Sequence, residues 1–102
     1  MIADIHHHQD ELRRLCEQHK VRRLELFGSA RGEGFDPDAS DLDFLVEFEP
    51  LSGGHYADHY FGLLEDLTAL FRRPVDLVVA RAIRNPHFLR SVNETKELLY
   101  AA

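Results

Sequence analysis

Two pieces of one stretch decide how this chain is read: Val21-Arg22-Arg23-Leu24-Glu25-Leu26-Phe27-Gly28-Ser29 and, after a polar loop, Asp41-Leu42-Asp43-Phe44-Leu45-Val46-Glu47-Phe48. Residues 21–27 alternate, with Val21, Leu24 and Leu26 apolar, and run straight into Gly28-Ser29, which predicts a strand ending in a tight turn. Residues 30–40 (ARGEGFDPDAS) concentrate Gly, Asp and Pro and predict a loop. Residues 42–48 predict a mostly buried strand. Gly28-Ser29 therefore sits at the C-terminal end of a strand, where α/β sheets generally place ligands. Asp41 and Asp43 open the next strand. Positions i and i+2 of a strand share a side, so both carboxylates face one point and Leu42 turns the other way, toward a core.

Outward from this stretch the pattern is regular. Residues 4–19 predict a helix with Ile5, Leu12, Leu15 and Cys16 on one face and Asp4 as its cap. Pro50, Gly53 and Gly54 break the chain. From about 55 to 72, Tyr56, Tyr60, Leu63, Leu64, Leu67, Leu70 and Phe71 recur at helical spacing. Residues 74–80 (PVDLVVA) predict a short strand with Pro at its first position, where Pro is tolerated. Asn85-Pro86 predicts a helix start, with Asn as cap and Pro at the first helical position, running to about Thr95. Residues 97–101 (ELLYA) fit either an extension of that helix or an edge strand. The expected architecture is α/β: a single domain over residues 1–102, with a small mixed sheet covered by helices.

The carboxylates suggest chemistry. Asp41 and Asp43, held close, repel each other unless a cation lies between them, and hard oxygen ligands select Mg²⁺. Asp76 lies inside the otherwise apolar run Pro74-Val75-Asp76-Leu77-Val78-Val79, where an ionised group is costly unless paired or metal-bound. A solvent-facing place on an edge strand is the plainer reading of Asp76. If strands 42–48 and 74–80 are neighbours, Asp76 joins Asp41 and Asp43, and three carboxylates can hold two Mg²⁺ ions.

Gly28-Ser29, a loop of about ten residues, Asp41-Leu42-Asp43 and a lone Asp76 on a later strand resemble the nucleotidyltransferase superfamily related to DNA polymerase β. The likeness is to its minimal branch, whose members resemble the antitoxins of pairs with HEPN-type RNase toxins. That resemblance implies a polymerase β-like core and transfer of AMP from ATP onto a tyrosine of the toxin. It implies that Gly28 and Ser29 hold the nucleotide phosphates, with Arg31 assisting. It further implies that Asp41, Asp43 and Asp76 bind the metals, with Asp76 nearest the attacking hydroxyl and acting as general base. The alternative is an antitoxin that neutralises its partner by contact, without turnover.

Composition narrows the classes. With 12 basic and 18 acidic residues the net charge is −6, a poor match to free-standing nucleic-acid binding and a better one to divalent metal or a basic protein surface. No apolar run is long enough to span a bilayer and no signal peptide is read, so a cytoplasmic location is the expectation. Cys16, the single cysteine, predicts a buried small hydrophobe rather than a nucleophile. Asp36, Asp38, Ser40 and Glu47 fall at ligand positions of an EF-hand loop, but Asp41 stands where Gly is needed and the flanks read as strands. Tyr56 and Tyr60 read as core packing, and a domain this small stands to gain from association with a partner or a second copy.

Overall fold

The computed structural model describes residues 7–27, 42–50 and 55–102. Helix α1 (Gln9–Gln18) buries Leu12 and Cys16, four positions apart and so on one face, with Leu15 partly buried beside them. The expected cap Asp4 and the apolar Ile5 lie outside the described residues. Strand β1 (Val21–Phe27) pairs antiparallel with β2 (Leu42–Phe48), matching Leu24 with Val46 and Phe27 with Asp43. Helix α2 (Tyr56–Phe71) then crosses over, ending where Arg72 turns left-handed at φ 56°. It delivers β3 (Val75–Val79), parallel to β2. A short 3-10 turn (Ala80–Ala82) precedes helix α3 (Pro86–Thr95). Asn85 caps α3, its side-chain oxygen accepting from the backbone N–H groups of His87 (2.8 Å) and Phe88 (3.3 Å).

Strand β4 (Glu97–Ala101) pairs antiparallel with β1, so 97–101 is an edge strand and not a helix extension. The sheet order is β3-β2-β1-β4, a mixed sheet that, among the described residues, carries three helices, as the sequence predicts. Glu47 sits within β2, so half of the EF-hand alternative is strand and that reading fails.

The sheet's two faces differ. Leu42, Phe44, Val46 and Phe48 of β2, with Leu24, Leu26 and Leu77 from the neighbouring strands, meet Leu12 and Cys16 of α1 and Leu63 and Leu67 of α2. Each such side chain contributes roughly 1.5–3 kcal/mol when fully buried. Tyr56 and Tyr60 pack against this core, as expected. Just past α1, His19 Nε2 lies 2.6 Å from Asp66 Oδ2 of α2. The two segments approach closely at Gly62, where a Cβ would lie 2.8 Å from the His19 ring. The opposite face holds a smaller cluster of Phe27, Leu45 and Val92, through which α3 packs on the sheet. Among the described residues no helix is long and apolar enough to cross a membrane.

Candidate active site

Strand alternation places the carboxylates. The neighbours of Asp43 (Leu42 and Phe44) and those of Asp76 (Val75 and Leu77) all pack into the larger core. Asp43 and Asp76 therefore both turn to the opposite face, the one α3 covers. They are register partners across the parallel pair β2 and β3, and Asp43 also pairs with Phe27 at the end of β1. One row across the sheet thus reads Phe27, Asp43, Asp76, with strands about 4.8 Å apart. A backbone bond from Leu42 N–H to the Pro74 carbonyl (3.1 Å) docks the start of β2 on the residue before β3 and fixes that row.

Asp76 is exposed and Asp43 half-buried. The desolvation cost that an aspartate within an apolar run would incur is avoided here, because β3 is an edge strand. The charge on Asp76 still reaches its surroundings. Burial first, then the Asp76 carboxylate and then Tyr56, push the Tyr60 phenol above its usual value. The Tyr60 hydroxyl donates to the carbonyl of Leu77, the residue after Asp76.

The structure therefore brings together two of the predicted site residues, Asp43 and Asp76. Gly28, Ser29, Arg31 and Asp41 lie outside the described residues. In the sequence Gly28 follows Phe27 and Asp41 precedes Leu42. Among the described residues no group of three His, Cys, Asp or Glu side chains could hold a metal ion. A pair of aspartates on one side of adjacent strands nonetheless fits Mg²⁺, which commonly binds one or two carboxylates together with substrate phosphates.

Glu25 was not among the predicted site residues. It shares the α3-covered face, with 4% of its surface exposed. Arg23 Nε lies 3.2 Å from one of its oxygens and Lys96 Nζ 3.7 Å from the other. Both oxygens are engaged by cations, so this carboxylate holds the end of α3 against β1 rather than serving as an open ligand. Its signal in the sequence was a single acid between Leu24 and Leu26, indistinguishable there from a solvated strand position. Cys16 is fully buried and its thiol is pushed up to about 12, first by burial and then by Glu17, which excludes it as a nucleophile.

The site thus rests on a parallel β2-α2-β3 crossover with one aspartate near the start of each strand. The model of the nucleotidyltransferase domain family matches residues 10–99, so the chain belongs to the nucleotidyltransferase family, a family of enzymes. It is similar to a Methanocaldococcus jannaschii protein described as a candidate protein adenylyltransferase, 36% identical over 87 residues that cover 84% of this chain and 82% of the relative. It is also similar to a solved structure described as a candidate minimal nucleotidyltransferase, with TM-score 0.71 and 28% identity over 90% of this chain and 89% of that one. The fold recurs in a complex of a tri-AMPylated Shewanella oneidensis HEPN toxin with its MNT antitoxin. There the TM-score is 0.64 at 18% identity, over 96% of this chain and 73% of the matched one.

Proposed function

We propose that this chain transfers AMP from ATP onto a tyrosine of a partner protein, a HEPN-type toxin, and acts as its antitoxin. The observation that carries the reading is the register pairing of Asp43 with Asp76 on one side of the sheet. The adenylyltransferase relative supports AMP as the group moved, and the fold shared with an MNT antitoxin supports the partner class.

In this reading Asp41, Asp43 and Asp76 would hold two Mg²⁺ ions, which would supply neutralisation of the phosphate charge and a lowered pKa for the attacking hydroxyl. Gly28 and Ser29 hold the triphosphate through backbone N–H groups and a hydroxyl, with Arg31 beside them. Asp76, at the outer end of the row, takes the proton of the acceptor hydroxyl. The acceptor oxygen forms a bond to the α-phosphorus, the bond from that phosphorus to the bridging oxygen breaks, and pyrophosphate leaves. The exposure of Asp76 on an edge strand supports its role toward an acceptor that arrives as a folded protein.

The test is the intact mass of the neighbouring gene's product after co-expression with the unaltered chain or with the Asp41→Ala/Asp43→Ala variant. One or more added AMP units, seen only with the unaltered chain, is the expected outcome. An unmodified partner that forms a stable complex with both would replace transfer by inhibition through contact.

A further inference from the structure

Beyond Asp76 the α3-covered face opens into a groove of about 410 Å³, lined by Val78, Ala82, Ile83, Arg84, Asn85 and Phe88. Two of its walls adjoin the carboxylate row. Val78 follows Asp76 by two positions on β3 and so shares its side of the sheet. The Phe88 ring packs edge-on against Phe27 at 5.9 Å, and Phe27 is the register partner of Asp43. Phe88 keeps 39% of its surface exposed although it lines the groove.

We infer that this groove seats the aromatic ring of the acceptor side chain, so that the protein selects a tyrosine over an aliphatic hydroxyl. The inference rests on the transfer reaction proposed above and adds to it the place and chemistry of the acceptor. Sheet order carries the first step. Gly28 follows Phe27 on β1, Asp43 lies on β2, and Asp76 lies on β3, the outermost strand on that side. In the proposed reading the triphosphate binds at Gly28-Ser29, which follow Phe27 in the sequence, and the outer end of the row is left to the acceptor. Among the described residues no strand pairs with the far edge of β3, the side from which a body as large as a protein can approach.

The walls carry the second step. Val78, Ile83 and Phe88 offer apolar and aromatic surface, while the exposed Arg84 and Asn85 make the rim polar. That combination suits a side chain with an apolar body and a polar tip, as tyrosine has. Val78 and Asp76 stand about 6.6–6.8 Å apart along the strand, a span that a tyrosine ring bridges with its hydroxyl at the carboxylate. A serine or threonine seated on Val78 would leave its hydroxyl short of Asp76.

The test titrates methyl-labelled protein separately with N-acetyltyrosinamide, N-acetylserinamide and Mg-ATP while following the Val78 and Ile83 methyl resonances. The tyrosine probe is expected to move both, the serine probe neither, and Mg-ATP neither. Unmoved methyls with the tyrosine probe, or methyls moved by Mg-ATP, would overturn the inference, the latter by assigning the groove to the nucleobase. In the partner-transfer assay, Ile83→Ser is expected to raise the acceptor KM roughly tenfold, the scale of lost apolar contact in a pocket. The ATP KM should move by less than about twofold, because the groove lies on the acceptor side. Equal changes in both would overturn the assignment. Methyl shifts without any transfer would sink the transfer reading and keep the groove as a phenol site. Transfer to tyrosine with unmoved methyls would sink the groove alone.

Discussion

The two faces of the sheet are built differently. The face under α1 and α2 is close to uniformly apolar, with Leu24, Leu26, Leu42, Phe44 and Val46 all at or near zero exposure. Among the described residues the face under α3 has Phe27, Leu45 and Val92 in its buried cluster, and it alternates these with Glu25, Asp43 and Asp76. One face supplies most of the apolar burial. The other gives up burial to hold charges at fixed spacing, the price of an open site. The same strands serve both purposes because their side chains alternate.

Substitution on each face gives the largest contrast. Phe44→Ala, in the centre of the apolar face and stacked on Phe71 at 5.9 Å, is expected to cost about 3–5 kcal/mol. Against a total of about 5–15 kcal/mol, that loss brings a small domain close to unfolding. Asp76→Asn, exposed on β3, should change stability by no more than about 0.5 kcal/mol. It should lower nucleotide transfer by roughly 10²–10⁴-fold, the scale of losing a general base. Urea unfolding and a single-turnover transfer assay on the same two preparations check both. An Asp76→Asn variant that unfolds as readily as Phe44→Ala would erase the distinction between the faces.

The apolar face was the more legible in sequence. Its periodicities are long and clean, and the strands at 21–27 and 42–48 stand where the pattern puts them. The segment 97–101 could not be assigned by pattern, because five residues with two apolar neighbours fit both periods. Pairing with the free edge of β1 decides it. Asp76 was legible as an anomaly, but its relation to Asp43 was conditional on β2 and β3 being neighbours, a long-range fact that no local pattern contains. Glu25 and the Val78–Phe88 groove were not legible at all. Both depend on where α3 comes to lie, which the Lys96 ion pair and the Phe27–Phe88 contact fix only after folding.

Alkaline pH, compared between the unaltered chain and Cys16→Ala, probes the apolar face. Cys16 titrates at 9.0 when free of the fold and is pushed up to about 12 within it, by burial first and by Glu17 second. Above pH 9 the unfolded chain has lost this proton while the folded chain keeps it, so the folded state binds more protons and stability falls as pH rises. The contribution is fully present below pH 9 and is lost on the way to pH 12. Its slope is about 1.4 kcal/mol per pH unit. The unaltered chain should therefore lose about that much more stability between pH 9.5 and 10.5 than Cys16→Ala does, measured as paired urea midpoints. Parallel curves for the two would mean that water reaches Cys16 and that the core under α1 is looser than its packing indicates.

The smallest expected effect lies where the two faces meet in consequence, at the start of α3. Asn85→Ala removes the acceptor for the His87 and Phe88 N–H groups and should cost about 1 kcal/mol. Asn85→Asp keeps an oxygen at the same place and adds a negative charge that the helix N-terminus favours, so its stability should equal or slightly exceed that of the unaltered chain. The helix is also held on the sheet by Val92 with Phe27 and Leu45, a contact the cap does not touch. A cost near 1 kcal/mol for Asn85→Ala, recovered in Asn85→Asp, would thus mark α3 as an independently seated cover over the charged face. A cost approaching that of Phe44→Ala would instead mean that α3 and the sheet fold as one cooperative unit, and that the charged face carries more of the stability than its three buried apolar residues can account for.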